Sequence, residues 1–316
     1  LERRRARLAA PLRAELERWH RRLEAQRREL AETEPLEEWR REGELLLAHA
    51  AAFPPGVTEA EVADYFDPEM RPRLLRLAPG ETAVGRAKRL FQRYRKALRR
   101  REVLLPALEA GERRARYLES VLLGLEQAAD LAELGQVEEE MEAEGLLRPD
   151  PARRRAAAAA ARGRGRPPAG PAPLRLLSHD GWEIWLGRNN RQNDELTMRL
   201  ARPRDLWFHA RGLPGAHVLL PVRGRELPPE RTRLEAAVLA ALHSRAAGAG
   251  QVEVDWTERQ NVWKPHGAPP GFVLYRRERT LAVRPDPTLE AELRALAASA
   301  PAAPGPPFGP GEGGAP

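Results

Sequence analysis

The densest chemistry in the 316-residue chain is the run Arg188-Asn189-Asn190-Arg191-Gln192-Asn193-Asp194. Four side-chain amides and two guanidiniums fall between the end of an expected strand and the start of an expected helix. Asn193 or Asp194 would cap the helix or its turn. One cap leaves the other amides unused, and the surplus suits a helix N-terminal site offering donors to phosphate or base edges. Downstream, Trp207-Phe208-His209 alternates along a strand, so Trp207 and His209 share one face and Phe208 takes the other, core-facing side. Trp207 and His209 read either as a face on which an unpaired base stacks or as a bulky, half-buried pair. His209 and His217 stand on neighbouring strands with Asp205 nearby, which would make an open two-histidine, one-carboxylate metal site. No third ligand stands at metal spacing, so the expectation is structural histidines, or histidines touching phosphate or base.

Arg211 borders the turn Gly212-Leu213-Pro214-Gly215, whose glycines permit positive φ. The loop Asn261-Val262-Trp263-Lys264-Pro265-His266-Gly267 joins an aromatic ring, a cation and an imidazole. It reads either as a loop buried under Trp263 or as an extension of a basic face. The candidate RNA-contacting set is therefore Arg188, Asn189, Arg191, Gln192, Asn193, Trp207, His209, Arg211, His217, Trp263 and Lys264. The GxG strings lack a βαβ setting and a Walker lysine, and Ser178 and Ser244 lack a nucleophile elbow. No catalytic residue, cofactor, metal or small-molecule substrate is expected.

Charge supports a polyanionic partner. Of 53 basic residues only three are lysine, which looks like a GC-rich genome and weakens arginine count as an argument. Position says more: residues 1–150 carry 28 basic and 30 acidic side chains, whereas residues 151–284 carry 24 and 12. With no cysteine, disulfides and thiolate metal sites are excluded, in keeping with a reducing cytoplasm. No apolar run approaches the roughly 18 residues of a membrane span, and no secretory signal opens the sequence. The chain starts LERRRARL, already in helical pattern and without Met, and reads as a piece of something longer.

The elements that would position these residues form an α+β protein. Residues 1–148 read as an antiparallel coiled-coil arm. Its first helix has a seam at Leu12, Leu16, Trp19, Leu23 and Leu30, and its second runs from about Thr82 to Gly145 with Phe91, Tyr94, Leu98, Leu105 and Leu108 on one seam and Leu118, Leu122, Leu125 and Ala129 on a shifted one. A kink is expected near Pro106 and Gly111. Basic residues 1–28 face acidic 117–145, and acidic 29–44 face basic 86–116, only if the two helices run antiparallel. Residues 35–81 should fold as a small module at the arm's tip. Residues 149–173 read as a flexible basic linker, 174–297 as a compact α+β domain, and 298–316 as a disordered tail.

At GRNNRQNDELTMRLA, DLWFHARGLPGAHVLLP and VDWTERQNVWKPHGAPPGFVLYRRERTLAV the chain resembles the C-terminal RNA-binding (NFACT-R) domain of the NFACT family. Its bacterial members are ribosome quality-control factors, historically called fibronectin-binding protein A homologues. GELLLAHA, DYFDP and ETAVGRAKRLFQRYRKAL resemble the family's middle region, with Ala83–Val84 where an Asn-Ala pair is usual. The resemblance implies contact with tRNA and rRNA, docking on a large ribosomal subunit with a stalled peptidyl-tRNA, and message-independent alanine tailing. It assigns no catalytic role to any residue here. The alternatives are a cell-surface fibronectin-binding adhesin, a stand-alone RNA-binding module, or a hydrolase using His209, His217 and Asp205.

Overall fold

The computed structural model describes residues 1–148, 172–224 and 227–299, so the expected linker and tail fall almost wholly outside the described residues. The chain divides into two compact units, residues 17–115 and residues 1–16 with those from 116 onward. The long helices α1 (Glu2–Ala31) and α3 (Ala83–Gln127) each contribute to both.

In the 17–115 unit, α1 and α3 run antiparallel. Leu23 and Trp19 pack on Gly111, Arg27 bonds Glu112 at 2.7 Å, and Arg100 bonds Glu29. Arg86 reaches Glu42 at 2.7 Å, so the basic stretch of α3 does meet the acidic stretch. Between the long helices lie α2 (Leu36–Ala48) and a hairpin of β1 (Glu59–Ala63) and β2 (Pro72–Arg76) in antiparallel register. Leu45, Leu46, Val62, Leu75 and Leu77 close a small core there with Ala87 and Leu90.

Two expectations about α3 need correction. The second helix does not run unbroken to Gly145: it ends at Gln127, and Asp130 accepts from the backbone N–H groups of Ala132 (2.9 Å) and Glu133 (2.8 Å) to cap a separate α4 (Leu131–Ala143). The first part of the seam also lies one residue earlier than expected, in step with the expected Leu118 and Leu125. Leu90, Ala97, Leu104, Gly111, Leu118 and Leu125 are buried at seven-residue steps, while Leu98 and Leu105 are 38% and 44% exposed.

In the other unit the first turns of α1 meet the end of α3 and α4. Arg5 donates to the carbonyls of Leu125 (2.8 Å) and Ala128 (2.7 Å), closing the C-terminus of α3. Arg4 pairs with Glu138 and Arg13 with Glu126. This unit also holds a six-stranded antiparallel sheet in the order β10-β7-β5-β6-β4-β3. Its strands are β3 (Leu174–Leu177), β4 (Glu183–Leu186), β5 (Leu206–Ala210), β6 (Val218–Leu220), β7 (Val252–Glu258) and β10 (Arg279–Val283). A short helix, α5 (Asn190–Asp194), runs into a π-helical turn, Glu195–Leu200. Helices α6 (Glu230–Leu242) and α7 (Pro287–Ser299) and a two-stranded ribbon of β8 (Val262–Trp263) and β9 (Leu274–Tyr275) complete the α+β domain. No helix among the described residues is long and apolar enough to cross a membrane.

Strand alternation gives the sheet two unlike faces. Ile184, Leu186, Phe208, Val218, Leu220, Val254 and Trp256 point to an aliphatic core with Ala236, Leu239 and Ala240 of α6 and Leu293 of α7. Trp185, Trp207 and Leu219 point the other way, onto Leu196 and Val262, beside His209, His217 and Asp255. Gly187 permits the close approach of β4 to α5: a Cβ there would stand 2.4 Å from Asn193 Oδ1 and 2.9 Å from Asn193 N. Gly187→Ala is expected to destabilise the protein by roughly 1–3 kcal/mol through overpacking. An unchanged urea midpoint would contradict this.

Candidate nucleic-acid interface

The amide-and-arginine run does not face outward. Asn189, rather than Asn193 or Asp194, is the N-cap of α5, accepting from Gln192 N at 2.9 Å. Its Nδ2 donates to Gln136 Oε1 (2.8 Å), which also accepts from Gln192 Nε2 (3.0 Å). Asn190 Nδ2 donates to Ser120 Oγ (2.9 Å) and Glu140 Oε1 (2.8 Å). Arg188 pairs with the buried Glu133, and Arg191 with Glu139 at 2.6 Å. Asn193 Oδ1 accepts from His217 N (2.9 Å) and its Nδ2 donates to Gly215 O (3.2 Å). All four amides are at most 5% exposed. The expected open corner is closed: Arg188, Asn189, Asn190 and Gln192 form a docking surface for α4 and the end of α3, and Asn193 is tied inside the domain. That use accounts for the surplus of amides over caps.

Glu140 is the buried acceptor of this surface, taking Asn190 and the Tyr117 hydroxyl (2.9 Å) on one oxygen. Burial pushes its carboxyl up to about 7, against the pull of the two hydrogen bonds.

The second face of the sheet carries the aromatic cluster. Trp207 is fully buried and offers no face to solvent, so the stacking platform cannot be Trp207 itself. His209 lies stacked on it, with ring centroids 5.6 Å apart and planes 17° from parallel. His217 stands edge-on to both, 5.3 Å from His209, and its Nδ1 is 2.7 Å from Thr197 Oγ1 in the π-helical turn. Burial lowers His209 to about 4 and His217 well below the ordinary value, so both are neutral at pH 7. Asp205 is committed elsewhere, accepting from the N–H groups of Arg202 (2.7 Å) and Val222 (2.8 Å). Among the described residues no group of three or more His, Cys, Asp or Glu is placed to hold a metal. Beside His209 opens a concavity of about 210 Å³, bounded by Leu213, Phe272, Val273, Tyr275 and, from α3, Arg116.

The remaining sequence candidates separate. Arg211 is held by the buried Asp255, its Nε 3.0 Å from both oxygens, and by Thr280 (2.6 Å). Lys264 pairs with Asp194, whereas Trp263 is 43% exposed next to the exposed Leu274.

A cluster of free cations lies where the sequence did not single it out. At the end of the sheet where β7 stops and β5 and β10 begin, Leu206 faces Glu258 and Arg279 faces Trp256. There Arg199, Arg202, Arg204, Arg276, Arg277 and Arg279 are all exposed. Backbone bonds tie the three loops together: Gln260 N to Pro203 O (2.9 Å), Arg259 N to Asp205 O (2.8 Å) and Arg276 N to Asn261 O (3.2 Å). Among the described residues none of these six guanidiniums pairs with a carboxylate, though Arg279 lies over the Trp256 ring. A sum over segments dilutes such a rim, since its arginines come from two stretches about 70 residues apart.

Comparison with known proteins finds two family models along the chain. Residues 1–159 match the family described as NFACT N-terminal and middle domains, and residues 174–276 match the NFACT protein RNA binding domain. A Bacillus subtilis protein named Rqc2 homolog RqcH is 33% identical over 254 residues, 80% of this chain and 42% of that protein. A Streptococcus suis protein of the same name is 36% identical over 275 residues, 86% of this chain and 46% of that one. The chain thus spans less than half the length of these curated relatives. A solved structure of the C-terminal part of the fibronectin/fibrinogen-binding protein from Streptococcus suis is similar at TM-score 0.66 and 31% identity, covering 93% of this chain and 98% of that one. On a profile that spans half of its length and a solved relative matched almost whole, the chain belongs to the NFACT family.

Proposed function

We propose that this chain is the RNA- and ribosome-binding part of a ribosome quality-control factor. In this reading it works in the cytoplasm, holds a large ribosomal subunit carrying a stalled peptidyl-tRNA, and supports message-independent alanine tailing of the nascent chain. Its partners are rRNA and tRNA, and its role is that of an elongation-type cofactor without a catalytic centre of its own. The observation that carries the RNA part is the rim of six exposed, carboxylate-free arginines on the domain that matches the family's RNA-binding module. Unpaired guanidiniums on adjacent loops neutralise successive phosphates and release counterions, which makes binding steeply salt-dependent.

The test is binding of the 316-residue chain to purified large subunits and to RNA between about 50 and 200 mM salt. Affinity should fall by orders of magnitude over that range. Replacing Arg202, Arg204, Arg276 and Arg277 together by Ala should weaken RNA binding at low salt and flatten the log–log slope by up to about 3. A slope that the fourfold variant does not change would reject the rim. The name of the Streptococcus suis structure brings a second reading, an adhesin. Retention on immobilised fibronectin that is equal at both salt concentrations and in the fourfold variant would favour it instead.

A further inference from the structure

The concavity beside His209 lies outside the arginine rim, and the docking surface leaves it open. We infer that it receives a single unpaired nucleobase of an RNA strand, packed against His209, with the adjoining phosphate at Arg116. The inference deepens the RNA-binding reading and rests on it.

Size selects the ligand class first. About 210 Å³ is below the roughly 300–1,000 Å³ of clefts for drug-sized ligands, and suits one flat ring system. The walls select next. Tyr275, Phe272, Val273 and Leu213 are apolar or aromatic, the surroundings that a base leaving its stack requires. The polar groups then discriminate. His217 is occupied by Thr197, but the ring nitrogens of His209 have no hydrogen-bond partner among the described residues. A neutral imidazole, which burial enforces here, presents one donor and one acceptor. That matches a base edge, whereas a phosphate seated at that depth would call for a cation. The cation is at the mouth. Arg116 is exposed on α3 and has no partner among the described residues. Finally, Tyr275 of the wall precedes Arg276 and Arg277 of the rim, so a strand held by the rim passes the opening. A paired base could not enter without leaving the duplex.

The experiment titrates the full chain with short single-stranded oligoribonucleotides carrying a central 2-aminopurine, with a blunt duplex of equal length, and with free nucleoside monophosphates as competitors. The expected result is preference for the single strand, a fluorescence change at the central base, and only weak competition by monophosphates. His209→Ala should lower single-strand affinity roughly 5- to 100-fold. Arg116→Ala, on an exposed helical position, should lower it and flatten the salt slope by about 0.7. Neither should alter duplex binding. If both variants bind the single strand as the wild type does, or the duplex is preferred, the base pocket is wrong and rim binding survives. If the chain binds no RNA in any form, both readings fall together. Tight binding of monophosphates with no gain from the strand would mean a free-nucleotide site and would also overturn the proposal.

Discussion

Asp255→Ala is expected to cost about 3 kcal/mol of stability and to loosen the wall of the concavity at the same time. The carboxylate is 2% exposed and gathers three donors: Arg211 Nε at 3.0 Å from both oxygens, the Tyr275 hydroxyl at 2.9 Å and the Thr280 hydroxyl at 2.8 Å. Burying a charge is tolerable only when it is paired and hydrogen-bonded, and removing one member strands the others. Breaking a buried pair costs roughly 3–5 kcal/mol. The lower end applies because Arg211 is 45% exposed and regains water. Tyr275 loses more, since it is half-buried and its hydroxyl bonds to Asp255. Asp255→Asn keeps the shape and one acceptor oxygen, so it should lose clearly less. Equal loss in the two variants would show that charge and hydrogen bonding at this position matter less than the geometry implies.

The other large effect is a pH dependence centred on Glu140. Its carboxyl ionises near the ordinary 4.5 in the unfolded chain and at about 7 in the folded one. Between those values the folded state holds a proton that the unfolded state has released. Stability therefore decreases as pH rises through this window, and the penalty is complete above about 7. A displacement from 4.5 to about 7 corresponds to around 3 kcal/mol. Arg191 pulls the carboxyl down and Glu144 pushes it up, both more weakly than burial does. Glu140→Gln has no such titration. The stability of the wild type minus that of Glu140→Gln, from urea unfolding at about pH 5 and pH 8, should fall by an amount of this order. A difference that stays constant across the window would mean that Glu140 is already ionised when folded.

The sequence made some of this legible and hid the rest for physical reasons. Charge blocks revealed the antiparallel pairing, because like-charged stretches cannot lie side by side; Arg4–Glu138 and Arg86–Glu42 are the pairs they implied. Alternation placed β5 and separated Phe208 from Trp207 and His209. The first part of the α3 seam came out one residue late, since Leu98 and Leu105 are as apolar as the buried Leu90 and Leu104, whereas Leu118, Leu122 and Leu125 are buried as expected. The β1–β2 hairpin was not foreseen because each strand buries one residue, Val62 or Leu75, and shows no alternation to detect. Helix α7 likewise follows Pro285, opens on Pro287 and buries only Leu293. The candidate site shows the deepest limit. Asn and Arg donate equally well to a phosphate or to a carboxylate on another helix, and local sequence does not say which is present. Here Glu133, Glu139 and Glu140, some fifty residues upstream, decide it.

The two-faced sheet has a consequence for how the domain can change. Neighbouring positions on one strand answer to different pressures: Phe208 and Val254 to solidity alone, His209 to whatever enters the concavity. Preference for a guest can therefore be rewritten at His209, which borders the concavity, while the even-numbered positions and the buried Trp207 and Asp255 keep the scaffold standing.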